Sequence, residues 1–179
     1  MPRTRLAPIT SPRTAACAAM GLCALLIGCD RDRETALRAD LSEYVYLTDT
    51  HYFDSRRTCT AAIFELSSSY LTGKVEPDAT LEAAQATYDL GGPAAIQMAE
   101  YSPNDMADGM LLLDRGVFGK QVLEAAANVG DCLTDEASAG FRTALTRPSA
   151  ILIWLPDPEG FMIVDPGRDR AYYAAGFPL

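Results

Sequence analysis

The chain is poor in the side chains that most chemistry needs. Of its 179 residues one is a histidine, His51, and two are lysines, Lys74 and Lys120. A lone histidine with no H-x-H or H-x-x-x-H partner is a poor zinc ligand set, so no metal is expected. The shortage of lysine beside an acidic excess excludes a nucleic-acid binder, whose phosphate contacts need many cations. After residue 28 there is no P-loop, no G-x-G-x-x-G and no S-x-x-K, which removes the common nucleotide and β-lactamase-type readings. Ser67, Ser68 and Ser69 lack the G-x-S-x-G frame of a hydrolase elbow. No cofactor is expected, and no catalytic residue can be named.

A membrane-spanning run is also missing. Residues 14–28 are uncharged for fifteen positions, short of the roughly twenty that cross a bilayer as a helix. What precedes that run gives it meaning. Residues 1–13 carry Arg3, Arg5 and Arg13 and no acid. A basic head and a short apolar middle ending in small residues form an export signal rather than part of a fold. The run closes on Leu26-Ile27-Gly28-Cys29, with Asp30 next.

In these residues the N-terminus resembles a bacterial lipoprotein precursor. Leu26, Ile27 and Gly28 fill the lipobox and Cys29 the modified position. The resemblance implies a diacylglycerol on the Cys29 thiol, cleavage before it and acylation of the new amino group. Two or more acyl chains hold a protein stably where one holds it marginally. It implies a place in the bacterial envelope, on a membrane and facing the periplasm. Asp30 resembles the signal that retains enteric lipoproteins at the inner membrane. The rivals are an ordinary secreted protein, an uncleaved membrane helix and a cytosolic core helix. The expected organisation is a cleaved signal peptide (1–28), a lipidated tether (29–34) and one soluble domain (35–179).

Without the export segment 151 residues remain, an ordinary single domain. They hold 12 basic and 24 acidic residues, a formal charge of −12. That charge suits solubility, a basic protein partner or a cationic ligand. Of five cysteines, Cys17 and Cys23 lie in the export segment and Cys29 is the lipidation site. The remaining Cys59 and Cys132 are expected to pair in an oxidising compartment. A closed loop of about 74 residues is worth about 4 kcal/mol in the chain-entropy model.

Periodicity predicts an α+β domain with a small antiparallel sheet and four or five helices on one of its faces. Leu37, Leu41, Tyr44, Val45 and Thr48 keep helical spacing, so a helix is expected over 34–47, then a mixed loop over 48–57. Residues 58–66 read as a buried strand and 70–78 as a turn or short edge strand. Thr80 caps a helix that Gly91 and Gly92 stop. Residues 94–101 lean towards helix. Ser102-Pro103 starts another helix, with Met106, Met110, Leu111 and Leu113 on its apolar side. Phe118 to Val129 forms a further helical stripe, and Thr134 caps a last helix ending before Pro148. Residues 150–155 are apolar on both faces, as in a central strand. Strands at 161–164 and 170–174 complete a C-terminal meander through turns at 156–160 and 165–167.

The candidate chemistry outside the anchor is sparse. His51 with Asp49 or Asp54 would make a general base, and Cys59 with His51 a thiol–imidazole pair. Asp157, Glu159, Asp165 and Asp169 bracket the last hairpins, where calcium ligation competes with plain turn chemistry. Trp154, Tyr172, Tyr173 and Phe177 suit either a binding surface or strand packing. The expectation is an anchored, non-enzymatic protein that binds an unidentified envelope protein. An envelope hydrolase and a small-ligand binder stand as alternatives.

Overall fold

The computed structural model describes residues 32–176; the export segment with Cys29, and Phe177, lie outside the described residues. Five helices and one seven-stranded, mostly antiparallel sheet make an α+β fold. The strands are β1 (Val45–Ser55), β2 (Cys59–Leu71), β3 (Pro77–Asp78), β4 (Ala94–Ile96), β5 (Ile151–Pro156), β6 (Glu159–Asp165) and β7 (Arg170–Gly176). Their order across the sheet is β1-β2-β7-β6-β5-β4-β3, with only β3 and β4 parallel. The helices are α1 (Glu34–Leu41), α2 (Leu81–Asp89), α3 (Pro103–Met110), α4 (Val117–Asn128) and α5 (Asp135–Leu145). Among the described residues no helix is long and apolar enough to cross a membrane.

The local signals work through ordinary chemistry. Thr80 and Thr134 accept the backbone N–H groups of Ala83 and Ala137, filling donors that a helix start leaves open. Ser102 and Asp105 form a reciprocal capping box, with Pro103 in the first turn. Gly91 takes φ +80° just past α2, a left-handed conformation open to glycine. At Gly119 a Cβ would lie 2.3 Å from Ala107 O, so the missing side chain lets α4 cross close over α3.

The sheet is buried on both faces. On one side α2, α3, α4 and α5 pack against Ile63, Leu152, Trp154, Phe161, Ile163 and Tyr172. On the other, Leu37 and Leu41 of α1 join Phe64, Ile153, Leu155, Met162, Val164 and Tyr173. The expected single helical face is therefore corrected to four helices on one side and α1 on the other. A second element completes the thinner side. From Leu66 onward β2 pairs with β1 alone, because β7 reaches only to Glu65. Four register shifts interrupt that outer pairing, and such irregularities bend a ribbon. Val45, Leu66 and Val75 thus share the core of this face with Ile151 and Leu155 of β5.

Three expectations need correction. The first helix stops at Leu41, where the Ser42 hydroxyl turns back to donate to Arg38 O, and residues 45–55 are strand rather than helix and loop. The helical spacing of Tyr44, Val45 and Thr48 was coincidental, since Thr48 is exposed. Ala94–Ile96 is strand β4, not helix. Alanine favours helices, but pairing of all three residues with Leu152, Ile153 and Trp154 decides the outcome. Finally, α3 ends at Met110, which leaves Leu111 exposed instead of on an apolar face.

Candidate functional site

Cys59 opens β2 and Cys132 closes a 3-10 turn after α4, and the two are disulfide-bonded with Cα atoms 6.0 Å apart. The bond joins the sheet to the helical layer. The Tyr52 hydroxyl donates to Cys132 O at 2.9 Å and adds a second tie from β1. Cys59 is thereby unavailable as a thiol nucleophile.

His51 is exposed on β1 and borders a cleft of about 110 Å³ shared with Tyr52, Thr134, Glu136 and Arg170. Organic-ligand sites run to roughly 300–1,000 Å³, so this one is small. Asp54 is turned towards Arg56, with a 3.0 Å ion pair, and Asp49 is exposed and does not border the cleft. The suggested His51–Asp49–Asp54 grouping is not assembled.

The acids of the last hairpins divide between roles. Asp165 is fully buried, its Oδ1 accepts the Gly167 N–H at 3.0 Å, and Arg147 Nε lies 2.9 Å from its Oδ2. That is turn chemistry fixed by an ion pair. Among the described residues no three His, Cys, Asp or Glu side chains are grouped to hold a metal. Three of the tail aromatics are core: Trp154 and Tyr172 face the four helices, Tyr173 the opposite side. The Tyr173 hydroxyl donates to Glu159 O at 3.2 Å.

The feature that stands out lies at the end of α2. Leu90, following that helix, and Leu112, following α3, are each 88% exposed. Leu111 and Val117 are also exposed close by in the chain. Two adjoining clefts share Asp89. One, of about 360 Å³, runs between α2 and the α3–α4 turn, past Glu82, Gln85, Leu113 and Arg115. The other, of about 330 Å³, runs past Tyr88, Gln121, Trp154, Pro156 and Glu159.

The walls of these clefts are held rigidly. Tyr88 stacks on Phe118 at 5.4 Å and meets Trp154 edge-on at 6.0 Å, while its hydroxyl donates to Gln121 Oε1. Burial first, then the carboxylates of Glu159 and Asp89, raises the Tyr88 phenol above its ordinary pKa. Gln85 Nε2 donates to Asp89 Oδ1 at 2.9 Å, and Arg115 approaches Asp89 at 4.0 Å. Glu82, Asp89, Asp114 and Glu159 make the surroundings acidic. Leu90 and Leu112 are next in the chain to Asp89 and Leu113, which line these clefts. A further cleft of about 480 Å³ lies between Tyr70, Leu71, Val75 and Ile151.

Sequence reasoning missed the α2 end. Leu111 and Leu113 read as core because an apolar residue in a helical pattern is normally inside. The available signal was the run Leu111-Leu112-Leu113, which no single helix face can bury whole. Compared with protein-family models, with curated proteins and with solved structures, the chain matches none.

Proposed function

We propose that the chain is a lipid-anchored protein of the bacterial envelope whose folded domain binds a protein partner without catalysing a reaction. One observation carries the reading: Leu26-Ile27-Gly28-Cys29 at the close of a basic-then-apolar segment. The Cys59–Cys132 bond supports it, since structural disulfides belong to oxidising compartments. The test is Cys29→Ser in the native bacterium. Palmitate labelling should disappear and the domain should leave the membrane fraction. Unchanged membrane association would remove the anchor from the account.

The α2 end supports the binding half of the proposal. Leu90 and Leu112 offer apolar area, and the surrounding acids suit a partner whose apolar anchor is flanked by basic residues. Leu90→Glu with Leu112→Glu should weaken partner capture by a crosslinker placed at Val117 by about tenfold, or about 1.4 kcal/mol. The thermal midpoint should not move, because both leucines are already in water. Capture at the original level would discard this surface.

A further inference from the structure

We infer that the β1–β2 turn, residues 55–60, is the part of the domain held against the bilayer, with Arg56 and Arg57 among the lipid phosphates. The inference rests on lipidation of Cys29 as proposed above, and adds where the domain touches the membrane. It begins from chain length. Three peptide units separate Cys29 from Asp32. A chain spans at most roughly 3.3–3.6 Å per residue. Asp32 therefore stands within about 10 Å of an acylated Cys29 whatever path the intervening residues take.

Asp32 is not a loose end. Its backbone N–H donates to Ser55 Oγ at 2.9 Å, and its Oδ2 accepts from the Thr60 hydroxyl. Ser55 and Thr60 are themselves linked, Oγ to Oγ1, at 2.9 Å. These are the residues on either side of the β1–β2 turn, so the tether is fastened to the turn rather than merely near it. The turn presents Arg56 and Arg57, both exposed, and Arg33 is exposed beside Asp32.

The charge at this corner fits the assignment. Arg33, Arg56 and Arg57 stand against Asp32, Glu34 and Asp54, a balance of zero, in a chain whose residues from 29 onward carry −12. Asp54 is already engaged by Arg56. An anionic bilayer repels acidic protein surface and attracts arginine. The tether and turn are thus less acidic than the chain as a whole, while Asp157 and Glu159 stand at the same end of the sheet. Pro156 and Glu159, which wall one cleft at the α2 end, stand at the same end of the sheet as this turn, on the third and second strands from β2.

The experiment uses the acylated protein purified from membranes and reconstituted in phosphatidylglycerol–phosphatidylcholine vesicles. A water-soluble phenylglyoxal modifies accessible arginines, and mass spectrometry reads each site. Arg115, with its side chain 79% exposed in the α3–α4 turn, is the internal reference. Relative to Arg115, Arg56 and Arg57 should react about tenfold more slowly in vesicles than in detergent. Equal relative rates in the two media would overturn the inference. The same spectra read the acyl groups on Cys29. Their absence removes the anchor and this orientation together; their presence with unprotected Arg56 and Arg57 removes the orientation alone. A second protein carries about twenty Gly/Ser residues inserted after Arg31, a linker with a root-mean-square reach of roughly 25 Å. Protection should vanish in it, and protection that persists would refute the tether as its cause.

Discussion

The two faces of the sheet are buried by different means. One is covered by four helices and tied to them by a disulfide. The other is covered by an eight-residue helix and by the end of the sheet's own outer hairpin. Both leave central strands such as Ile151–Pro156 buried along nearly their whole length. The difference is one of redundancy. Each helix on the first face is braced by its neighbours, as Gly119 shows for α3 and α4. On the second face α1 is fixed by Leu37 and Leu41, by Arg38 donating to Thr50 Oγ1 at 2.8 Å, and by the same guanidinium 5.9 Å above Phe64. An element with few partners opens locally at a free energy below that of global unfolding.

The strongest way to break this contrast is to truncate one core side chain on each face. Phe161→Ala, fully buried under the helices, should cost about 3–5 kcal/mol of global stability in urea unfolding. Replacing both Cys59 and Cys132 by alanine should cost up to about 4 kcal/mol on the same face. Leu37→Ala should cost less, about 2 kcal/mol. Its hydrogen-exchange signature should be confined to α1 and the neighbouring hairpin end. If Leu37→Ala unfolded the whole domain at the cost of Phe161→Ala, the two faces would be equivalent and the contrast wrong.

The smallest effect sharpens the picture within the helical layer. Ser102→Ala should cost about 1 kcal/mol by removing the cap of α3. The Ser102 hydroxyl and backbone N–H both donate to the Asp105 carboxylate and hold its pKa below the ordinary value. A depressed folded-state pKa contributes stability in full above the unfolded value, lost as pH falls through the lower folded one. NMR titration should therefore find Asp105 depressed, and Ser102→Ala should return it upward.

What the sequence made legible follows the same division. The C-terminal meander, the caps at Thr80, Ser102 and Thr134, and the cysteine pair all rest on local or compositional signals. The hairpin β1 does not. Asp49, His51 and Asp54 interrupt its apolar pattern because it is the outermost strand, and the register shifts destroy the alternation that marks a strand. Ala94–Ile96 was hidden for the opposite reason: small helix-forming residues are held in a strand by pairing with β5 on one side and β3 on the other. At the α2 end only the run Leu111-Leu112-Leu113 gave a signal, because which leucine is exposed is a tertiary fact. α2 ends at Asp89 and α3 at Met110, and Leu90 and Leu112 beyond those ends lie in water.

Among the described residues β1 runs along the margin of the sheet, paired on one side by β2 alone. An open strand is a template for stacking copies into fibrils. Here the margin is uneven, through four shifts of register, and carries Asp49 and Asp54. Two such margins brought together antiparallel would set carboxylates near carboxylates and find no continuous ladder. The irregularity that obscured this strand in the sequence thus works against edge-to-edge pairing of neighbouring molecules.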